Sequence, residues 1–184
     1  MVCIPTELDG VVIIEPRVFR DARGFFIEDF HVERYTALTG GRRFPVQVNH
    51  SRSRRGTLRG LHFQYPRPQA KLVWVGRGRI YDVAVDVRRG SPTFGRWVSA
   101  ELSDENHRQV WIPAGFAHGF CVLSEVADCY YACGEVYAAD CERVVRWNDP
   151  GIAIEWPIED PLLSDKDRNA PLLAELEMLP EWNG

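Results

Sequence analysis

The chain has 184 residues, 45% hydrophobic and 26% charged, with a net charge of −4, a length that fits one domain spanning residues 1–184. Such a domain buries roughly 70% of the surface its unfolded form exposes, so folding requires neither a metal staple nor a disulfide framework. Aromatics at 11% argue against disorder, the weakly acidic balance argues against nucleic-acid binding, and no uncharged run is long enough to cross a membrane.

The N-terminal stretch MVCIPTELDG has no basic region followed by an apolar one, so a cytoplasmic location is expected. Five cysteines are scattered without a C-x-x-C pair and read as small buried hydrophobes. In chain order, residues 11–14 and 24–30 read as strands and 32–38 as a two-turn helix. Tyr65-Pro-Arg-Pro68 is a loop. A strand at 71–75 is followed by Gly76-Arg-Gly78, read as a tight hairpin into a strand at 79–87 whose uncharged face points inward. Residues 97–102 form a further strand, 103–106 a capped turn, 113–120 a turn-rich stretch and 172–176 a short helix. Many short strands with few helices predict an all-β sandwich, jelly roll or small barrel.

Charge is unevenly distributed. Between Arg34 and Tyr81 there is no Asp or Glu, yet Arg34, Arg42, Arg43, Arg52, Arg54, Arg55, Arg59, Arg67, Lys71, Arg77 and Arg79 fall there. Two or three of these suffice for a compact anion such as a diphosphate. The others, the Ser-Arg-Ser-Arg-Arg cluster above all, read as solvated surface.

Two histidines keep unusual company. His62 lies in Gly56-Thr-Leu-Arg-Gly-Leu-His-Phe-Gln64, where a period of two puts Leu58, Gly60, His62 and Gln64 on one face and Arg59 on the other. His118 follows Pro-x-Gly-x-x-His, the second half of a metal-cupin pattern. The first half is missing: Gln64 stands two residues after His62 where a second His would be needed, and no carboxylate lies between His62 and Asp82, so no metal site is expected. Against 20 arginines the chain has two lysines, Lys71 and Lys166. A compact ammonium suits a developing enolate better than a guanidinium does, and Lys71 opens a strand that could neighbour the strand of His62. Tyr130, Tyr131 and Tyr137 offer a general acid, a stacking platform or plain core; on one strand Tyr131 and Tyr137 would share a face.

Taken together, Asp21-Ala-Arg-Gly-Phe-Phe-Ile-Glu28, Gln47-Val-Asn-His-Ser51, the His62 segment, Gln69-Ala-Lys-Leu-Val73, the His118 segment, Trp147-Asn-Asp-Pro150 and Leu163-Ser-Asp-Lys-Asp167 resemble the dTDP-4-dehydrorhamnose 3,5-epimerase family nearly end to end. The resemblance implies a cupin-type double-stranded β-helix, or jelly roll, with a few short helices. It also implies a cofactor-free epimerisation of a dTDP-sugar. By the same resemblance His62 is the base, Asp167 its orienting partner, Tyr131 the proton donor and Lys71 the enolate stabiliser. Substrate contacts carry over onto Arg23, Glu28, Gln47, Asn49, Arg59, His118, Glu142 and Lys166, with Tyr137 stacking on thymine. Arg23 and Glu28 are expected to reach the partner's site in a homodimer. Ala132 stands where the family commonly has Lys, which leaves the choice of donor tyrosine open. Epimerisation at carbon 3 or carbon 5 alone is the nearest alternative, and a metal-dependent cupin enzyme a more distant one.

Overall fold

The computed structural model describes residues 1–41 and 44–182, so Arg42 and Arg43 lie outside the described residues. Its strands are β1 (Val2–Pro5), β2 (Val12–Glu15), β3 (Val18–Asp21), β4 (Gly24–Ile27), β5 (Gln47–Arg54), β6 (Leu58–Gln64), β7 (Lys71–Arg77), β8 (Arg79–Asp86), β9 (Trp97–Ser103), β10 (Gln109–Ile112), β11 (Phe116–Val122), β12 (Val126–Cys133) and β13 (Glu142–Val144). Two short α-helices, α1 (Thr36–Thr39) and α2 (Asp165–Arg168), complete the set.

Antiparallel pairing builds a six-stranded sheet in the order β1-β2-β10-β7-β12-β5 and a five-stranded sheet in the order β13-β6-β11-β8-β9. Their inner faces meet in a core that includes Val73 and Val75 from the first sheet and Ile80, Ala84, Phe116 and Phe120 from the second. This is a jelly roll, the expected fold class. Outside the five-stranded sheet, Leu61, Phe63, Val83, Val85 and Ala117 are covered by Val145, Ile152, Leu173 and Leu179 of the C-terminal segment. Sheets covered on both faces explain why β11 is buried at every position and reads as a continuous apolar run rather than an alternating one.

Several expectations are corrected. Gly76-Arg77-Gly78 is not a hairpin: β7 and β8 belong to different sheets, so the chain crosses between layers there. Gly78 has φ +81°, and a methyl group on it would lie 2.1 Å from the Val126 carbonyl oxygen, which only glycine avoids. The turn-rich stretch 113–120 enters the fully buried β11 at Phe116. The aspartate face of β8 also points inward, leaving Asp82 and Asp86 at 1% and 0% exposure. The 32–38 helix shrinks to α1, because Tyr35 is drawn into the core to donate a hydrogen bond to Gln109 Oε1 (2.8 Å). The C-terminal helix is one 3₁₀ turn, Leu173–Glu175. The 24–30 strand stops at Ile27 and pairs with β3 in a separate ribbon. The capped turn is present, with Ser103 and Asn106 each donating a backbone N–H to the other's side-chain oxygen.

Candidate active site

A cavity of about 250 Å³ opens between the inner faces of the two sheets. From β6 it takes His62, Gln64 and Arg59; from β11, His118; from β12, Tyr131; and from β7, Lys71. Strict alternation would turn Arg59 away from His62. The pairing of β6 with β11 explains its presence: His118 faces His62, but Phe120 faces Arg59, so two steps on β11 span three on β6. This bulge re-aims Arg59 into the cavity, where its Nε donates to Ser53 Oγ (3.0 Å). Two glycines permit it. A methyl group on Gly60 (φ +123°) would lie 2.6 Å from Gly119 Cα, and one on Gly119 would lie 2.9 Å from the Arg59 carbonyl oxygen.

His62 Nε2 donates to Asp167 Oδ1 (2.6 Å), leaving 27% of the imidazole exposed. Asp167 reaches inward from α2, whose N-terminus is capped by Ser164. The Ser164 hydroxyl accepts from the Asp167 backbone N–H (3.1 Å) and donates to Asp167 Oδ2 (2.8 Å). Burial pushes the Asp167 carboxyl up, but the hydrogen bonds from His62 and Ser164 and the nearby positive charge outweigh it and hold the group below its ordinary range. With the Nε2–H directed at the Asp167 carboxylate, the free lone pair of the neutral ring sits on Nδ1.

His118 forms a second such pair, its Nε2 donating to Asp82 Oδ2 at 2.7 Å, but only 4% of this imidazole is exposed. Burial depresses its pKa, partly offset by Asp82. Lys71 is not on a strand adjacent to that of His62, contrary to expectation. It projects from the opposite sheet and donates from Nζ to the His62 carbonyl oxygen (3.3 Å). Desolvation lowers its pKa, with Cys133, Asp82 and Glu142 acting in the other direction.

The tyrosines separate by facing. Tyr131 points into the cavity, its hydroxyl 2.7 Å from Ser51 Oγ, and burial raises its pKa well above the ordinary value. Tyr130 points outward, stacked between His50 (4.4 Å, 7°) and Trp74 (5.5 Å, 13°). Ala132 packs away from the cavity among Ile14, Leu72 and Trp111. Tyr137 does line the cavity, though not through the strand period, since β12 ends at Cys133.

At the rim, Tyr137 donates to Glu142 Oε2 (3.3 Å), and Lys166 pairs with Glu142 Oε1 (2.8 Å). Gln47 donates to Asn49 Oδ1 (2.8 Å), and Asn49 lines the cavity. Arg23 and Glu28 are not brought to this cavity. Arg23 is 90% exposed beside Asp21, and Glu28 pairs with Arg34. Of the eleven cations between Arg34 and Tyr81, Arg59 and Lys71 are the cavity's own among the described residues.

Sequence reasoning passed over Asp82, Ser51, Ser53, Ser164 and Cys133. The alternation of Ser and Arg along β5 was the available signal: Ser51 and Ser53 serve the interior while Arg52 pairs with Asp128 outside (2.6 Å). Four cysteines are buried as expected, Cys133 among them at the cavity wall, whereas Cys3 is exposed. No group of three or more His, Cys, Asp or Glu side chains suited to one metal ion occurs among the described residues.

Imidazole, phenol and ammonium groups converging inside a jelly roll define a cupin-type barrel equipped for proton transfer on a small molecule. The family described as dTDP-4-dehydrorhamnose 3,5-epimerase matches residues 5–175. The enzyme of that name from Pseudomonas aeruginosa is 53% identical over 174 residues, covering 94% of this chain and 96% of the relative. A dTDP-6-deoxy-D-glucose-3,5-epimerase from Legionella pneumophila, solved with dTDP-4-keto-L-rhamnose, superposes with a TM-score of 0.96 at 50% identity and covers 100% of this chain and 99% of its own. A dTDP-4-dehydrorhamnose 3-epimerase from Streptomyces niveus is 42% identical over 93% of this chain and 83% of the relative. The chain belongs to the dTDP-4-dehydrorhamnose 3,5-epimerase family and is an isomerase.

Proposed function

We propose that this enzyme inverts carbons 3 and 5 of dTDP-4-dehydro-6-deoxy-D-glucose, giving dTDP-4-dehydro-L-rhamnose, the precursor of L-rhamnose. The observation that carries the reading is that His62 and Tyr131 face one cavity from opposite sheets, with the Lys71 ammonium beside them. Both carbons flank the 4-keto group, so the same carbonyl acidifies both C–H bonds. His62 Nδ1 takes the proton while Asp167 holds the ring and stabilises the imidazolium that forms. Lys71, made a stronger donor by desolvation, hydrogen-bonds the enolate oxygen. Tyr131, its raised pKa keeping the phenol protonated, delivers a proton to the opposite face of the carbon.

The remaining cavity residues hold the nucleotide. Arg59 takes the diphosphate through its guanidinium fork, and His118 and Asn49, steadied by Gln47, line the path to it. Tyr137 stacks on thymine at the rim, with Glu142 and Lys166 beneath it. No cofactor enters this scheme, and the chain acts as a single catalytic domain. Its free thiols suit the reducing cytoplasm, and no helix among the described residues is long and apolar enough to cross a membrane.

The active unit in this reading is a homodimer. The β3–β4 ribbon exposes Phe19, Phe25 and Phe26 at 48%, 54% and 68%, an apolar patch suited to a second copy. That contact carries Arg23 and Glu28 to the partner's cavity. Mixing His62→Ala with Arg23→Ala subunits then restores about a quarter of wild-type activity through hybrid dimers with one intact site; no restoration contradicts shared sites. Proton NMR of the product tests the reaction itself. Inversion at both carbons is expected, and inversion at carbon 3 alone replaces the double reaction with that of the Streptomyces niveus relative.

A further inference from the structure

Gln64 is 5% exposed at the end of β6, two residues from His62. Its amide uses both ends. Nε2 donates to the carbonyl oxygens of Arg67 (3.0 Å) and Val136 (3.3 Å), and Oε1 accepts from the backbone N–H of Ala138 (2.8 Å). The last two contacts straddle Tyr137.

Two further amides hold the same loop. Gln69 Nε2 donates to the Glu135 carbonyl oxygen (2.6 Å), and the backbone N–H of Tyr137 donates to Gln47 Oε1 (2.8 Å). Beyond β12 the loop therefore has no regular secondary structure, yet the N–H groups of Gly134, Val136, Tyr137 and Ala138 are all satisfied, the first by Ala70 O and the second by Glu135 Oε1. A loop pinned in this way loses little entropy when a ligand settles on it. Tyr137 is 53% exposed and its side chain makes one long hydrogen bond, so its position is set by its backbone rather than by packing of its ring.

We infer that Gln64 is a positioning residue for nucleotide recognition, fixing the loop that presents the Tyr137 ring to the base of a nucleoside diphosphate. The inference rests on the reading of Tyr137 as the base-stacking residue and adds the group that makes stacking possible. Only a neutral amide fits. A carboxylate at 64 cannot donate to two carbonyl groups, and an aliphatic chain can neither donate nor accept.

The test compares Gln64→Leu and Gln64→Glu with wild type, using calorimetric titration with dTDP and with inorganic pyrophosphate as separate probes. Lost clamping weakens dTDP about 10-fold in both variants, leaves pyrophosphate affinity within about 2-fold because Arg59 is untouched, and raises KM more than it lowers kcat. Adding Tyr137→Ala to Gln64→Leu costs little more than either change alone, since both remove one interaction. If Gln64 variants do not fold, the half-buried strap Gln69→Leu serves in their place, with the same selective loss of dTDP expected. Equal weakening of dTDP and pyrophosphate, or additive effects with Tyr137→Ala, overturns the inference. So does wild-type affinity for dTDP in the variants. A wild-type protein that binds pyrophosphate but gains nothing from the nucleoside contradicts instead the reading of Tyr137, and with it this role for Gln64.

Discussion

Two imidazole–carboxylate pairs stand side by side in the cavity wall, His62 opposite His118 across the β6–β11 ladder. Their hydrogen bonds are nearly identical, 2.6 Å to Asp167 and 2.7 Å to Asp82. Their surroundings are not. His62 keeps 27% of its side chain open and takes its carboxylate from α2, whereas His118 keeps 4% and takes its carboxylate from the neighbouring strand β8. A base needs a lone pair that substrate can reach and a partner that stabilises the charge it acquires. His62 has both. In His118 burial opposes protonation and the one N–H of the neutral ring is given to Asp82, so in the proposed reading the same chemical pair serves as a wall rather than a base. In the proposed reading exposure, not pairing, separates the two roles.

The sharpest way to break this comparison is to remove each ring. His62→Ala is expected to lower kcat by about 10³-fold or more with dTDP affinity nearly intact; turnover rates and titration calorimetry on the same preparation check it. Asp167→Asn, which keeps the shape but no longer favours the proton on Nε2, is expected to cost about 10²-fold in kcat, visible in steady-state kinetics.

The tyrosines offer a parallel contrast. Tyr131→Phe should lose about 10²-fold in turnover, while Tyr130→Phe, whose ring is stacked outside the barrel, should stay within about 2-fold, so equal losses would contradict the assignment of the donor.

The smallest effect is in stability. The His118 pKa is depressed on folding, so as pH falls through the ordinary imidazole value of 6.5 the unfolded chain takes up a proton before the folded one does, and stability drops. The Asp167 pKa is also depressed, and its contribution persists until pH falls below the ordinary carboxylate value of 3.8. Thermal melts from pH 8 to pH 4 should therefore show a loss of Tm beginning near 6.5 that His118→Asn reduces and Asp167→Asn leaves in place.

Several residues of the cavity are chemically conspicuous in the sequence, and the family resemblance supplied the roles expected of them. Two lysines among 20 arginines, and two histidines set among glycines, draw the eye to Lys71, His62 and His118. What stayed hidden depends on geometry that local patterns do not encode. A period of two sent Arg59 to the wrong face because the bulge at Gly60 is set by the close approach of Gly119 on another strand. The hairpin expected at Gly76–Gly78 failed for a related reason: tight glycine turns serve equally to reverse a strand within a sheet and to carry it into the next one. Asp82 was overlooked because a charged residue on an apolar strand reads as the solvent side, whereas His118 supplies it with a buried partner. Arg23 lies in the turn of the β3–β4 ribbon and Glu28 just beyond it, outside the two sheets, and only in the proposed homodimer do they reach a cavity.

The most direct measurement is hydrogen exchange at carbons 3 and 5 of the 4-keto sugar nucleotide in deuterium oxide, followed by mass spectrometry and proton NMR for wild type, His62→Ala and His118→Asn in parallel. Wild type should place deuterium at both carbons, His118→Asn should do so at a reduced rate, and His62→Ala should place it at neither while still binding dTDP. Exchange by His62→Ala at the wild-type rate would contradict the account, for the proton would then be leaving to some other group in the cavity.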